Sequence, residues 1–460
     1  MKKFILTLNV MVFVSVATWA QSWNYVGSQG FSGGLAEHVS IAVDSSGTPY
    51  MTYSSHLDGF AATVKKFNGT TWKTVGVSGI SGPNQATFTR IAIAPDGTTP
   101  YLVYSDGDHG YKATVRKFTT QWDTVGNALL SAGYAYSTSI AFAPDATPYL
   151  SYEDGGNEYK LTVMKLSGNQ WITFGTAGFT PNSIGRTSLA IAPDGTPYIA
   201  YMNSDPNWGG QSNLVVQKFN GTTWEVLAST SVHDAVQNPS IAIAADGTVY
   251  VGFRNDDNSS KATVMKYSGS AWSLVGGTTA STNAAYYPKM SLSNNGTPYI
   301  AYLDGVTSTA TVMKYNGSEW TAVSSNTATP TNYLDFTIAK NGTLYVGFQD
   351  YNRSSYASLI KNVITGTGTK MVQSSKLALS AYPNPSRSEI AVDYQLDKAS
   401  DVNLKLYNAL GELQTILVSK NEDAGSHTLH CNVFQLPQGA YVLDLQTTTG
   451  SQQQKITIIK

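Results

Sequence analysis

The sequence predicts an all-β protein: a seven-bladed β-propeller closed by its own N-terminal strand, followed by a small Ig-like β-sandwich. Three observations predict it. Trp recurs at positions 23, 72, 122, 171, 224, 272 and 320, at successive spacings of 49, 50, 49, 53, 48 and 48 residues. Each period holds four short runs of alternating apolar residues punctuated by Gly turns, the cue for one propeller blade. The two ends of the repeat are complementary fragments.

The chain opens on a leader. Met1 to Ala20 has two lysines, an apolar run from Phe4 to Ala17, and "TWA" before a cut after Ala20, the layout of a secretory signal peptide. The run is short for a spanning helix and no later segment is long and apolar, so no membrane-spanning segment is expected in the mature protein. Charged residues are 13% of the 460 and the formal net charge is −1, which gives no basic field for nucleic acid. Cys431 is the single cysteine, so no disulfide forms within the chain and stability rests on packing.

The propeller is read over residues 21–362. One unit joins "SLAIAPDGTPYIAY", a variable stretch, "ATVMKYSGSAW" and "SLVG". Its first hairpin centres on Asp-Gly or Asn-Gly, as at Asp96-Gly97, Asp194-Gly195, Asp246-Gly247, Asn295-Gly296 and Asn341-Gly342, which predicts a two-residue type I′ turn. The second hairpin turns on pairs such as Asn68-Gly69 and Asn316-Gly317. The Tyr opening the second strand recurs seven times: Tyr50, Tyr101, Tyr149, Tyr198, Tyr250, Tyr299 and Tyr345. The seventh unit lacks its closing Trp strand, and "SWNYVG" after the leader supplies it. This joins the chain ends in one blade and removes open edges, which favours a closed ring over an open solenoid. Lysines 66, 117, 165, 218, 266, 314 and 361 occupy equivalent places and are read as covering their own blades or pairing with a neighbouring carboxylate.

Residues 363–376 are polar and rich in Gly, Thr and Ser, a linker composition. Residues 377–460 alternate as strands of a small antiparallel sandwich. "YPNP" at Tyr382 to Pro385, then "VNLKLYNALGE", "LPQGAYVLDL" and the end from Lys455 to Lys460 occur in order. In these features the tail resembles the C-terminal sorting domain of type IX secretion cargo of Bacteroidetes. The resemblance implies passage through the periplasm, the type IX machinery as a partner, and release or attachment at the cell surface. His427, His430 and Cys431 lie close in sequence, but strand alternation puts His430 and Cys431 on opposite faces. Neither a metal nor a cofactor is expected.

Both Gly turns of each blade fall on one face of the ring and the long connections on the other, so the long-loop face is the expected binding face. Three residues before the first Ile of each inner strand, or its equivalent, stand His38, Phe88, Ser137, Arg186, Asn238, Tyr287 and Tyr333, with Arg90, Tyr136 and Lys289 alongside. A purely structural position tends to repeat; this one changes in size, charge and aromaticity. His38, Phe88, Arg90, Tyr136, Arg186, Asn238, Tyr287 and Tyr333, together with Trp208 of the longest loop, are therefore the candidate ligand-binding residues. The residues ending the second strand, Asp106, Asp154, Asp304 and Asp350 among them, are read first as loop caps.

The functional expectation is a secreted or surface recognition protein that binds a polysaccharide or glycan. An alternative is a polysaccharide-degrading lyase or hydrolase using His38, His56, His109 and Arg90, and a protein-binding scaffold would use the same face.

Overall fold

The computed structural model describes residues 21–204, 212–227, 236–323, 330–364, 379–396, 398–408, 413–447 and 450–460. The leader, the linker from 365, Trp208 and His233 lie outside the described residues. The chain divides into two compact units, Met1–Thr365 and Gly366–Lys460.

The first unit is seven four-stranded antiparallel sheets. Blade 1 comprises Ala36–Val43, Pro49–Ser55, Ala61–Phe67 and Trp72–Thr74, from the inner strand outward. Blade 7 comprises Thr331–Ile338, Leu344–Asp350 and Tyr356–Ile364, and its outer strand is Gln21–Tyr25, with Trp23 opposite Asn362. Blades 7 and 1 meet: Ile41 N–H donates to Asp335 Oδ2 at 2.9 Å and Gln349 Nε2 to Ala36 O at 3.0 Å. The ring is closed as the complementary ends require.

The apolar core lies between blades. A buried aromatic occupies the same place in every second strand: Tyr53, Tyr104, Tyr152, Tyr201, Phe253, Tyr302 and Phe348, none more than 3% exposed. Each contributes about 1.5–3 kcal/mol of burial, and each is pinned by neighbours from the adjacent sheet. Tyr53, for example, clusters with Ala339 and Tyr345 of blade 7.

The recurring Trp and the recurring Val-Gly explain one another. Trp72, Trp122, Trp171 and Trp320 donate Nε1–H to the carbonyls of Val26, Val75, Val125 and Val275 of the preceding blade at 2.7, 2.7, 2.8 and 2.9 Å. Gly76, Gly126 and Gly276 follow three of those valines with φ of +72°, +71° and +81°, and a Cβ on any of them would lie 2.9–3.3 Å from the indole. Glycine meets both demands at once. Blade 4 ends instead in Leu227-Ala228, and Trp272 Nε1 of the next blade is buried without a hydrogen-bond partner among the described residues.

One turn differs from expectation. Asp96 does not have positive φ, so the Asp-Gly hairpins are not type I′. Ala94 N–H donates to Thr99 O and Gly97 N–H to Ala94 O, both at 2.9 Å, a type I turn closed by left-handed Gly97 at φ +78°. The Asp side chain decides it: Asp96 Oδ1 accepts from Thr98 and Thr99 N–H at 2.7 and 2.9 Å, capping a four-residue loop.

The second unit has a three-stranded sheet of Leu379–Tyr382, Glu389–Leu396 and Gly425–Asn432, and a four-stranded sheet of Leu413–Glu422, Ser400–Asn408, Gly439–Thr447 and Gly450–Ile458. Ile390, Val392 and Tyr394 of the first sheet share a buried cluster with Leu404, Leu443 and Ile456 of the second, the packing of a sandwich. Cys431 is buried in that cluster, while His430 faces Glu389 outside it, 3.2 Å away.

Candidate functional site

Every inner strand carries a bulge at its long-loop end. Register slips between Glu37 and Ser40 in blade 1, and at the equivalent place in the other six. The residue that opens the bulge has left-handed backbone in six blades: His38 (φ +52°), Phe88 (+51°), Ser137 (+49°), Asn238 (+51°), Tyr287 (+52°) and Tyr333 (+47°). Arg186 of blade 4 is the exception, where the slip falls between Gly185 and Thr187. Left-handed backbone costs a non-glycine residue roughly 1–2 kcal/mol, and a bulge re-aims the side chain it carries. The neighbouring blade holds the geometry in place: Thr89 and Thr138 hydroxyls donate to the carbonyls of His38 and Phe88 at 2.6 Å.

These side chains converge. His38, Phe88, Arg90, Arg186, Asn238, Tyr287 and Tyr333 line one cavity of about 230 Å³ to which all seven blades contribute, together with Ser137 and Lys289. Tyr136 does not line it. As the residue before the bulge it points away from Ser137, and it stacks instead on Tyr134 at 3.9 Å and meets Phe88 edge-on at 5.9 Å. Tyr134 stacks in turn on Tyr111 at 4.5 Å, so most of the ring faces in this row are taken up by one another. The structure leaves Trp208 outside the described residues.

Two residues past each bulge opening, the ring has a second device. Ser40, Ser139, Ser188 and Ser240 each accept the backbone N–H of the following blade, from Ile91, Leu189, Ile241 and Met290 at 3.4, 3.2, 3.2 and 3.0 Å. Asp335 accepts from Ile41 in the same way. The two remaining positions are Arg90 and Lys289, whose side chains have donors only and cannot make this bond. Sequence reading placed both beside the site without finding the rung they interrupt.

The electrostatics follow from enclosure. Burial, with Arg90 and Arg186 adding to it, lowers the His38 pKa to about 4, so its imidazole is neutral at neutral pH. Burial, with Arg90 and Arg186 again adding and Asp335 opposing, lowers Lys289 to about 8. Desolvation likewise lowers Arg90, which stays charged, and raises the Tyr333 phenol, which stays protonated. Arg186 reaches from blade 4 toward blade 2, its guanidinium 5.8 Å from the Phe88 ring centre, and His38 sits 5.2 Å from Phe88 and 5.3 Å from Tyr333. One unforeseen acid stands near: burial raises Glu153 to about 7, with Arg186 opposing. Among the described residues no carboxylate lines the cavity.

Among the described residues, the other histidines of the long-loop face, His56 and His109, lie away from this cavity. His56 packs edge-on against Phe60 at 5.0 Å, and His109 Nδ1 lies 3.1 Å from Asp106 Oδ2. The strand-ending acids cap loops. Asp154 Oδ1 accepts from Gly156 N–H at 3.0 Å, and Asp304 Oδ1 from Val306 and Thr307 N–H at 2.9 Å. Lys66, Lys165 and Lys314 lie over Tyr50, Phe174 and Tyr299 at 6.0, 4.8 and 5.9 Å, on their own blades. Among the described residues no group of three His, Cys, Asp or Glu side chains is placed to hold a metal ion.

Several solved structures are similar to this chain at low identity. PorZ, a surface component of the type IX secretion system of Porphyromonas gingivalis, is 14% identical with a TM-score of 0.46; the match covers 91% of this chain and 59% of PorZ. An ulvan lyase, bound to an uronate–sulfated rhamnose fragment, is 11% identical with a TM-score of 0.49, over 75% of this chain and 96% of the lyase. The Aleuria aurantia lectin is 14% identical with a TM-score of 0.42, over 72% of this chain and 93% of the lectin. Among curated proteins, none matches this chain. No helix among the described residues is long and apolar enough to cross a membrane. Residues 380–460 match the secretion system C-terminal sorting domain, the tail that directs a protein through the type IX system to the cell surface or the extracellular space.

Proposed function

We propose that the propeller is a recognition module that binds carbohydrate through its long-loop face, with the cavity on the ring as the anchoring site. The observation that carries this reading is the bulge position: seven blades carry side chains of differing chemistry there, six of them on left-handed backbone, and all seven turn into one cavity. Phenols at Tyr287 and Tyr333, the Asn238 amide and the neutral His38 ring offer both donors and acceptors, which sugar hydroxyls need, and Phe88 supplies an apolar wall. Delivery to the cell exterior puts such a site where polysaccharides are met.

The test is affinity electrophoresis of the full secreted chain through native gels cast with individual algal, plant and microbial polysaccharides, stained for protein and for glycan. Retardation by one polysaccharide, abolished in Tyr287→Ala and Tyr333→Ala, is the expected result. Equal mobility in every gel would remove the carbohydrate reading, and a cleared glycan track would replace a binding protein with an enzyme.

A further inference from the structure

We propose that the cavity is an anion site that takes a carboxylate or sulfate group borne by the glycan, held by Arg90, Arg186 and Lys289. This deepens the carbohydrate reading and rests on it.

The first observation is charge. Three cationic side chains line one cavity of about 230 Å³, no carboxylate lines it, and none of the three lies in an ion pair among the described residues. Asp335 is the acid whose field reaches both Arg90 and Lys289, and its Oδ2 is engaged by Ile41 N–H. Like charges confined together repel, and the repulsion grows in an enclosed, poorly solvated space. An anionic group entering the cavity relieves it.

The second observation is independent of charge and comes from the repeat. Serine or aspartate accepts the inter-blade amide at five of the seven rung positions. Arg90 and Lys289 occupy the other two and forgo a structural hydrogen bond. Local rules of this kind are broken chiefly where function requires it. Arg90 and Lys289 stand on blades 2 and 6, and Arg186 comes from blade 4, so the three cations approach the cavity from separated parts of the ring. Guanidinium groups grip carboxylate or sulfate oxygens through paired N–H donors, while the ammonium adds a point charge. The cavity is smaller than the roughly 300–1,000 Å³ of drug-sized sites, which fits one charged sugar unit with the rest of the chain outside.

Lys289 faces Arg90, Arg186 and Asp335, and its depressed pKa makes the site weaken as pH rises and the ammonium is lost. Replacing it with arginine keeps the charge and removes that dependence.

The experiment is calorimetric titration of the full chain with matched probes: oligogalacturonate and its methyl ester, a sulfated galactan oligosaccharide and its desulfated form, and sodium sulfate. The expected result is binding of at least one charged oligosaccharide about tenfold or more tighter than its neutral partner. Arg90→Ser and Lys289→Ser, both still folded by thermal melting, each lose about tenfold, and Lys289→Arg abolishes the loss of affinity between pH 7 and pH 9.5. Equal binding of charged and neutral partners, unchanged in Arg90→Ser, overturns the anion site and leaves the carbohydrate reading standing. Arg90-dependent binding of sulfate with no glycan bound does the reverse. No binding of any charged probe overturns the anion site.

Discussion

Two positions recur around the same ring and behave in opposite ways. The outer-strand Trp is the same residue in every blade, and where its carbonyl partner is a Val followed by Gly it makes the same bond. The inner-strand bulge opens on the same left-handed backbone in six of the seven blades, yet the seven side chains it carries include His, Phe, Ser, Arg, Asn and Tyr. Repetition at the rim answers to packing, because each Trp fills the same gap between blades. Variation at the bulge, kept in spite of unfavourable backbone, answers to what occupies the cavity.

Breaking the rim has the largest expected effect. Trp122 is 8% exposed and bonded to Val75, so Trp122→Ala destabilises the propeller by about 3–5 kcal/mol, read by urea unfolding of the full chain. A loss under about 1 kcal/mol would mean the rim is ornament.

The cavity shows itself next, through acid. The folded-state pKa of His38, about 4, lies below its ordinary 6.5, so between these values the unfolded chain binds more protons. Stability therefore falls as pH drops from 6.5 toward 4, by on the order of 2–3 kcal/mol, and His38→Asn flattens that limb. An unchanged limb in the variant would remove His38 from the enclosed wall. The smallest effect sharpens the comparison within the rim: Trp122→Phe costs about 1 kcal/mol more than Trp272→Phe, because the Trp272 Nε1 has no bond to lose among the described residues. Equal costs would show that shape alone sets the rim.

What the sequence made legible is what repeats. Periodic Trp and Tyr, Gly at the hairpins and the split seventh blade led to the ring and its closure, since each depends on local spacing. The bulge was hidden because no glycine occupies its opening position: Phe88, Tyr287 and Tyr333 are residues that ordinarily avoid left-handed backbone, and only the closed ring imposes it. The same hidden bulge sends Ser137, not Tyr136, into the cavity. Asp96-Gly97 misled in turn type because Asp-Gly also suits a type I turn when the carboxylate caps the loop. The rung from Ser40 to Ile91 crosses blades, so nothing local in Arg90 or Lys289 reveals the bond they displace.

The most direct test is thermal melting of Arg90→Ser beside the native protein, with and without an acidic oligosaccharide that the native protein binds. The account predicts that the variant melts higher without ligand, by about 1 kcal/mol of restored hydrogen bonding, and that ligand raises the variant's transition distinctly less than the native one. A variant that melts lower, or one that ligand stabilises as much as the native protein, would contradict it.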